Sequence, residues 1–292
     1  MIPAHVIQKI RRMHIKSRRT VSGIMAGRYA SVFKGSGIEF EEVREYCPGD
    51  DVKSIDWKVS ARTGKTFVKK YREERESTVM LLVDMSGSLE FGTFSGKKLE
   101  KAAEVAAVLA FNAVKNNDKV GVVFFTDQVE KYIPPKKGSS HVWRVIQEIF
   151  TFRPKGRGTR IAAGVDYLSR IMKKRAFVFI LSDFLDTDYE HALKTAARRH
   201  ELIGVQIWDP GIFQLPETGL VPLTDLETGQ TILADAFNKR TRTMYEQIRK
   251  TAHADARQVF SRAKSDLLEM KTSDSVPDVL TNYFRIREKR FR

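Results

Sequence analysis

Residues 78–88, Thr-Val-Met-Leu-Leu-Val-Asp-Met-Ser-Gly-Ser, join an apolar run to a polar turn. A short run of Val, Leu and Met without polar interruption is typical of a central strand that is buried on both faces of a sheet. Asp84, Ser86 and Ser88 follow where that strand should end. Because ligands of open α/β sheets bind at the carboxyl ends of the strands, these three side chains are placed where a ligand would bind.

The sequence after residue 77 alternates short apolar runs with helical patterns, which predicts a mostly parallel sheet with helices on both faces. This order favours a doubly wound, Rossmann-like α/β fold. The predicted elements are strand 78–84, helix 98–115, strands 120–125 and 129–133, helices 141–150 and 160–174, strand 176–181, helix 189–200, strand 202–208, a hairpin of 220–226 with 230–234, and helices 237–264 and 276–289.

The positive charge of the chain is concentrated at its two ends. The 292 residues have a formal net charge of +15. Residues 1–38 contain eight basic and no acidic residues, and residues 285–292 contain five basic residues and one acidic residue. The ends therefore carry +12 of the net charge, and we expect them to bind an acidic surface rather than to contribute to the fold.

The composition favours a reducing compartment. Cys47 is the only cysteine, so no internal disulfide can form, and we expect this side chain to be a packed small residue. No apolar run approaches the roughly 20 residues that cross a bilayer, and the basic N-terminus is not followed by the apolar region of a secretory signal. We expect a cytoplasmic protein, with peripheral association at the inner face of the membrane as a further expectation.

Two more loops carry oxygen side chains at positions equivalent to that of Asp84. Thr159 follows the glycine-rich Lys155-Gly-Arg-Gly158, and Asp183 follows the strand predicted at 176–181. Two carboxylates and three hydroxyls are hard donors that suit Mg²⁺ or Mn²⁺. The acids and Thr159 are also ordinary helix caps and the serines ordinary turn residues, so residue types alone leave both interpretations open.

The spacing of these three loops resembles a known motif. Strand-Asp-x-Ser-x-Ser, a glycine-rich loop that ends in Thr, and strand-Ser-Asp occur here in the order of the metal-ion-dependent adhesion site of von Willebrand factor A domains. The resemblance implies that Ser86, Ser88 and Thr159 are direct ligands of the metal and that Asp84 and Asp183 act through water. It implies a protein-interaction module in which a carboxylate from a partner completes the coordination of the metal.

The preceding segment resembles a second family feature. Glu39-Phe-Glu-Glu-Val-Arg-Glu-Tyr-Cys-Pro-Gly-Asp-Asp51, Ile55-Asp-Trp-Lys58 and Ala61-Arg62 are similar to the family called domain of unknown function 58, which places such a segment before a von Willebrand A-type domain. The resemblance implies a partner, an AAA+ ATPase of the MoxR type, for which the protein would be an adaptor in chaperone-like maturation or remodelling of client proteins.

Four parts are therefore expected along the chain: a basic N-terminal arm at 1–37, the family-specific segment at 38–76, the von Willebrand A-type domain at 77–263 and a helical extension at 264–292. We also expect Trp57, Trp143 and Trp208 to pack in the core or between subdomains.

Catalysis is not expected from these motifs. Residues 92–98 imitate a P-loop, but three residues instead of four separate the glycines, and Lys98 stands where Ser or Thr is required. The sequence has no His-Glu-x-x-His motif and no Gly-x-Ser-x-Gly around Ser86. We expect a binding protein, with a nucleic-acid- or membrane-surface-binding protein as the alternative and a metal-dependent hydrolase as the less favoured one.

Overall fold

The computed structural model describes residues 37–74, 77–93 and 96–290. The chain divides into two compact units, a small one within residues 37–77 and a large one from Thr78 onward. The basic N-terminal arm expected at 1–37 lies outside the described residues except for Gly37, as do the last two residues of the basic C-terminal end.

The small unit is built on an antiparallel pair of strands, β1 (Gly37–Glu45) and β2 (Phe67–Glu74), with helix α1 (Trp57–Thr63) between them. Asp56 begins α1 as its N-cap, since its carboxylate accepts hydrogen bonds from the backbone N–H groups of Lys58 and Val59. Two expectations are wrong here, because Trp57 and Cys47 are both exposed. An indole at the first position of a short helix and a thiol in a turn have no core to enter.

The large unit contains a six-stranded sheet of order β12-β9-β8-β3-β6-β7. Its strands are β3 (Thr78–Asp84), β6 (Lys119–Phe125), β7 (Val129–Lys136), β8 (Phe177–Ser182), β9 (Glu201–Trp208) and β12 (Asp266–Lys271). All neighbours are parallel except β6 and β7, which pair in antiparallel register. The two-residue strands β4 (Gly92–Thr93) and β5 (Gly96–Lys97) form a separate pair.

Helices cover both faces of this sheet, as the sequence predicts. Met80 and Leu82 of β3 pack with helices α4 (Ile161–Ile171), α5 (Glu190–Ala197) and α6 (Lys239–Arg262). Alternate residues of a strand point to opposite faces, and the opposite face is covered by α2 (Lys98–Lys115), α3 (Ser139–Thr151) and α7 (Val276–Arg290). The mostly parallel α/β fold predicted from the sequence is thus confirmed.

The C-terminal part differs from the helical extension that we expected at 264–292. Strand β12 lies in this range and pairs in parallel with β9, so the main sheet continues past residue 263. The expectation that the basic C-terminal end does not contribute to the fold is also wrong for its described residues, because they belong to α7 and Arg287 is buried against Glu201 and Asp266 of the sheet. Its sequence, Asp-Leu-Leu-Glu-Met-Lys, is half polar because β12 is the outermost strand and most of it is only half-buried. The expected hairpin is confirmed as β10 (Leu220–Thr224) and β11 (Thr231–Asp235), a separate antiparallel pair.

Candidate functional site

The three loops that carry the predicted ligands meet at the carboxyl edge of the sheet. Asp84 ends β3, which pairs with β8, and Asp183 comes directly after β8. The loop of Thr159 is joined to the loop of the serines by a hydrogen bond of 2.8 Å, in which the N–H of Gly87 donates to the carbonyl oxygen of Arg157. The five predicted residues thus belong to neighbouring loops, as their spacing predicts.

Asp84 is the most buried member of the group. One of its carboxylate oxygens accepts a hydrogen bond of 2.8 Å from the N–H of Ser86, and the other accepts one of 2.6 Å from the hydroxyl of Ser182. Burial, and then repulsion from the charge of Asp183, raises the pKa of Asp84 to about 7. The carboxylates of Asp84 and Asp183 therefore lie close enough at the carboxyl edge of the sheet to repel one another.

The two serines lie side by side. The hydroxyl oxygens of Ser86 and Ser88 are 3.1 Å apart, Ser86 is buried and Ser88 is half-buried. Ser86 precedes a short 3₁₀ helix, Gly87–Glu90, but its side chain makes no capping hydrogen bond. Its hydroxyl is therefore not used as a helix cap. The alternative interpretation of the two serines was that of ordinary turn residues.

Asp183 forms a buried ion pair that the sequence did not reveal. Its Oδ2 lies 2.6 Å from the ammonium of Lys98, and the side chains are 2% and 1% exposed. The next residue, Phe184, has a φ of 57°, a left-handed conformation that is unusual for a bulky side chain. The hydroxyl of Ser182 stabilises this turn by accepting a hydrogen bond of 3.0 Å from the N–H of Phe184.

Thr159 is bound to a second residue that the sequence analysis missed. The hydroxyl of Thr159 donates a hydrogen bond of 2.5 Å to Oε1 of Glu227, and its N–H donates one of 3.1 Å to Oε2. Glu227 lies in the turn between β10 and β11. Burial, followed by smaller effects that include the charge of Asp183, raises the pKa of Glu227.

Glycine residues permit the close approach of these loops. A Cβ atom on Gly87 would overlap the carbonyl oxygen of Leu226, and one on Gly156 would overlap the side chain of Asp127. The N–H of Gly156 also donates a hydrogen bond of 2.8 Å to Glu130. The glycine-rich loop is thus anchored by backbone contacts that larger residues would prevent.

The donor set fits a small divalent cation. Asp84, Asp183 and Glu227 provide three carboxylates against the single ammonium of Lys98, so the fully ionised group has an excess of two negative charges that one divalent cation would balance. These three carboxylates are not placed to hold an ion together, because within residues 37–74, 77–93 and 96–290 no three His, Cys, Asp or Glu side chains form a metal-binding cluster. The predicted site draws instead on hydroxyl oxygens, which are ligands for Mg²⁺ but lie outside those four residue types.

A comparison with sequence profiles identifies the family of the chain. The sequence profile of the family described as "Protein of unknown function DUF58" matches residues 42–255. The chain belongs to the DUF58 family. This DUF58 protein is 29% identical over 275 residues to the uncharacterized protein Rv1480 of Mycobacterium tuberculosis, an alignment that covers 93% of this chain and 86% of that protein. It is 26% identical over 107 residues to the uncharacterized protein YeaD of Bacillus subtilis, which covers 37% of this chain and 25% of that protein.

A solved structure shares the fold. A protein of Bacteroides fragilis described as an aerotolerance-related membrane protein is 16% identical, with a TM-score of 0.50, over 73% of this chain and 99% of that one. The von Willebrand A-type domain of SpRpn10 is 12% identical, with a TM-score of 0.37, over 71% and 95% of the two chains. The DUF58 chain has the mostly parallel α/β fold predicted from its sequence.

No helix in the described part of the chain is long and apolar enough to cross a membrane. The cytoplasmic and peripheral localisation expected from the composition stays a prediction.

Proposed function

We propose that this DUF58 protein is a metal-ion-dependent protein-interaction module. Its metal is Mg²⁺ or Mn²⁺, and the ligand set is Asp84, Ser86, Ser88, Thr159 and Asp183. The observation that carries the proposal is the meeting of three loops at one sheet edge, joined by the Gly87 to Arg157 backbone hydrogen bond and by the bond from Ser182 to Asp84. When bound, the cation would supply a concentrated positive charge that attracts a carboxylate.

Different residues of the site would bind the ion and orient its ligands. The neighbouring hydroxyls of Ser86 and Ser88 would face it directly. The buried Asp84 would orient Ser86, because its carboxylate accepts a hydrogen bond from the backbone N–H of Ser86. Glu227 accepts a hydrogen bond from the Thr159 hydroxyl, which leaves the lone pairs of that oxygen available to a cation. Lys98 holds the carboxylate of Asp183 in place through their buried ion pair.

The partner would be a protein with an acidic surface that contributes a carboxylate to the metal. Lys155, Arg157 and Arg160 are exposed around Thr159, where they would steer such a partner towards the site. We propose an AAA+ ATPase of the MoxR type as that partner, with the DUF58 protein as its adaptor in the maturation or remodelling of clients. This part rests on the family resemblance of residues 38–76.

We further propose that the site binds without catalysing. A hydrolytic metal needs a general base within hydrogen-bond reach of an activated water. Here the acids already have partners: Asp84 binds Ser86 and Ser182, Asp183 binds Lys98, and Glu227 binds Thr159. The purified protein should show no Mg²⁺-dependent turnover of ATP, phosphoesters, peptides or DNA. Turnover that disappears in Asp183→Ala would contradict this.

A pull-down tests the interaction. Native protein should retain a MoxR-type ATPase in Mg²⁺ and release it in EDTA, whereas a Ser86→Ala, Ser88→Ala double variant should not retain it in either. The matched control is Ser139→Ala, an exposed serine at the start of α3. Thermal melting would verify that both variants fold. Equal retention by native protein and double variant, or retention unaffected by EDTA, would overturn the proposal.

A further inference from the structure

A cavity lies at the edge of the main sheet opposite to the candidate metal site. It has a volume of about 490 Å³ and is lined by Glu201, the first residue of β9, and Asp266, the first residue of β12. Because these strands run parallel, their amino ends lie away from the carboxyl edge that carries Asp84. The cavity is therefore distinct from the candidate metal site.

The lining of this cavity is strongly basic. Six cationic side chains contribute to it against the two carboxylates of Glu201 and Asp266, which leaves an excess of four positive charges. The six are Arg175, Arg198, Arg199, Lys264, Arg287 and Arg290. The cavity thus has the electrostatic character of a binding site for an anion.

Both carboxylates are already bound by arginines. Glu201 pairs with Arg287 and Arg175, and Asp266 pairs with Arg287 at 2.8 Å and with Arg290 at 3.3 Å. In the parts of the chain that the structure describes, no ion pair involves Arg198, Arg199 or Lys264. The charge of these three is therefore available to a ligand.

Arg287 gives the cavity a fixed cationic wall. It is 6% exposed, and its guanidinium donates hydrogen bonds of 2.8 Å to Asp266 and to the hydroxyl of Tyr283. Tyr283 in turn donates one of 2.8 Å to Asp266. A buried charge in such a network is held in one orientation, so the wall is organised before any ligand binds.

His200 supplies an observation that points directly to a ligand. It lines the cavity, it is 3% exposed, and neither of its ring nitrogens has a hydrogen-bond partner among the described residues. Buried polar atoms in folded proteins nearly always have a partner, and leaving two without one is costly. Both nitrogens are closed off from solvent, so a ligand oxygen in the cavity would satisfy the imidazole after a rotation of the side chain towards it.

Lys264 lines the cavity and has a backbone conformation that favours glycine. Its φ is 52°, and it lies in the tight turn that follows α6, where the N–H of Ser265 donates to the carbonyl oxygen of Phe260. Basic side chains near helix C-termini also complement the helix dipole, and this accounts for exposed cations at the ends of α5, α6 and α7. Arg287 also lies in the last turn of α7, where Glu201 and Asp266 bind it. The helix dipole does not account for the unpartnered His200.

We propose that this cavity binds a small phosphorylated molecule through its phosphate group. Guanidinium and ammonium groups match the geometry and charge of phosphate oxygens, and the volume lies within the roughly 300–1,000 Å³ typical of small-molecule sites. The phosphate lies among Arg198, Arg199 and Lys264 and takes a hydrogen bond from His200. The site needs no divalent cation, so it stands independently of the proposed function.

Calorimetry on the full chain in EDTA tests the proposal. The probes are inorganic phosphate, pyrophosphate and a nucleoside monophosphate, with the unphosphorylated nucleoside as the neutral control. The native protein should bind at least one phosphate-bearing probe and not the nucleoside. Tighter binding of the nucleoside monophosphate than of the inorganic anions would identify an organic phosphate as the ligand, whereas the reverse order would identify a free anion.

Two charge-matched variants separate the cavity from general electrostatics. Arg198→Ala with Arg199→Ala removes two exposed charges at the cavity and should weaken binding by at least about tenfold. Lys239→Ala with Arg240→Ala removes two exposed charges at the start of α6 and should leave affinity within about twofold. His200→Gln should weaken binding without changing net charge at neutral pH. Equal losses in both double variants, or no binding by native protein, would overturn the proposal.

Discussion

The ammonium of Lys98 lies 2.6 Å from Oδ2 of Asp183, and both side chains are almost completely buried. Lys98 is the first residue of α2, where a positive charge is disfavoured by the helix dipole. The favourable contact with Asp183 therefore outweighs an unfavourable position in the helix. The pair fixes one acid of the candidate site and neutralises part of its negative charge.

Replacing Lys98 by Met should lower the free energy of unfolding in EDTA by about 3–5 kcal/mol, because a buried carboxylate loses its cationic partner. Excess Mg²⁺ should stabilise Lys98→Met more than the native protein, since the cation then opposes a larger negative charge. Urea denaturation measures both effects. Lys97→Met, an exposed neighbour, is the control and should change little. A Lys98→Met variant as stable as the native protein would show that the pair is dispensable.

Replacing Glu227 by Gln keeps the shape of the side chain but removes the charge that orients the Thr159 hydroxyl. Loss of such a supporting carboxylate should weaken Mg²⁺ binding by about 10–100-fold. Glu217→Gln, an exposed acid that precedes the same hairpin and pairs with Arg242, should have no such effect. Titration calorimetry compares the two. Equal affinities would exclude Glu227 from the site.

Gly87 and Gly219 provide a matched pair for testing the close approach of the loops. A Cβ on Gly87 would overlap the backbone of Leu226, whereas a Cβ on Gly219 would have no atom within 4 Å. Gly87→Ala should therefore destabilise the protein by about 1–3 kcal/mol, and Gly219→Ala by less than about 0.5 kcal/mol. Thermal denaturation gives both values. Similar values for the two would mean that the hairpin does not constrain the serine loop.

The sequence predicted the main sheet because its central strands are continuous apolar runs. It did not predict β12, since the outermost strand of a sheet mixes polar with apolar residues and resembles a loop or a helix end. Trp57 shows the opposite error, because an aromatic side chain suggests burial, yet this one begins a helix in a small unit and is exposed.

The loops of Asp84 and Asp183 were predictable because each follows a strand, and parallel strands bring their ends to one edge. Thr159 lies in a loop between two helices, and only the resemblance to a known motif joined it to the other ligands. Lys98 and Glu227 were not predictable, because their role depends on contacts across 85 and 68 residues. The available signal for Lys98 was that a lysine stands in the first turn of an alanine-rich helix. Glu227 stands in a Glu-Thr-Gly turn, and nothing in that pattern distinguishes it from an ordinary turn residue.

The buried imidazole of His200 should make stability depend on pH. Burial, and then the charge of Arg199, lowers the pKa of His200 below its ordinary value of 6.5. The unfolded chain therefore takes up this proton more readily, so the contribution of neutral His200 to stability is present above pH 6.5 and is lost as pH falls below it. The charged groups around it are those of the basic cavity: Arg175, Arg198, Arg199, Glu201, Lys264, Asp266, Arg287 and Arg290.

Urea denaturation of native protein and His200→Gln over pH 5 to 8 isolates this effect from that of other groups. Between pH 8 and 5, the stability of the native protein should fall by more than that of the variant. Parallel curves for the two proteins would show that His200 is not held neutral by its surroundings.

The central claim is a divalent cation site formed by Asp84, Ser86, Ser88, Thr159 and Asp183. Calorimetric titration of Mg²⁺ and of Mn²⁺ into the full chain tests this site most directly. Native protein and Ser139→Ala should bind one cation with the same affinity, and the Ser86→Ala, Ser88→Ala double variant should bind at least about tenfold more weakly while melting at a similar temperature in EDTA. Equal binding by the native protein and a folded double variant would contradict the account.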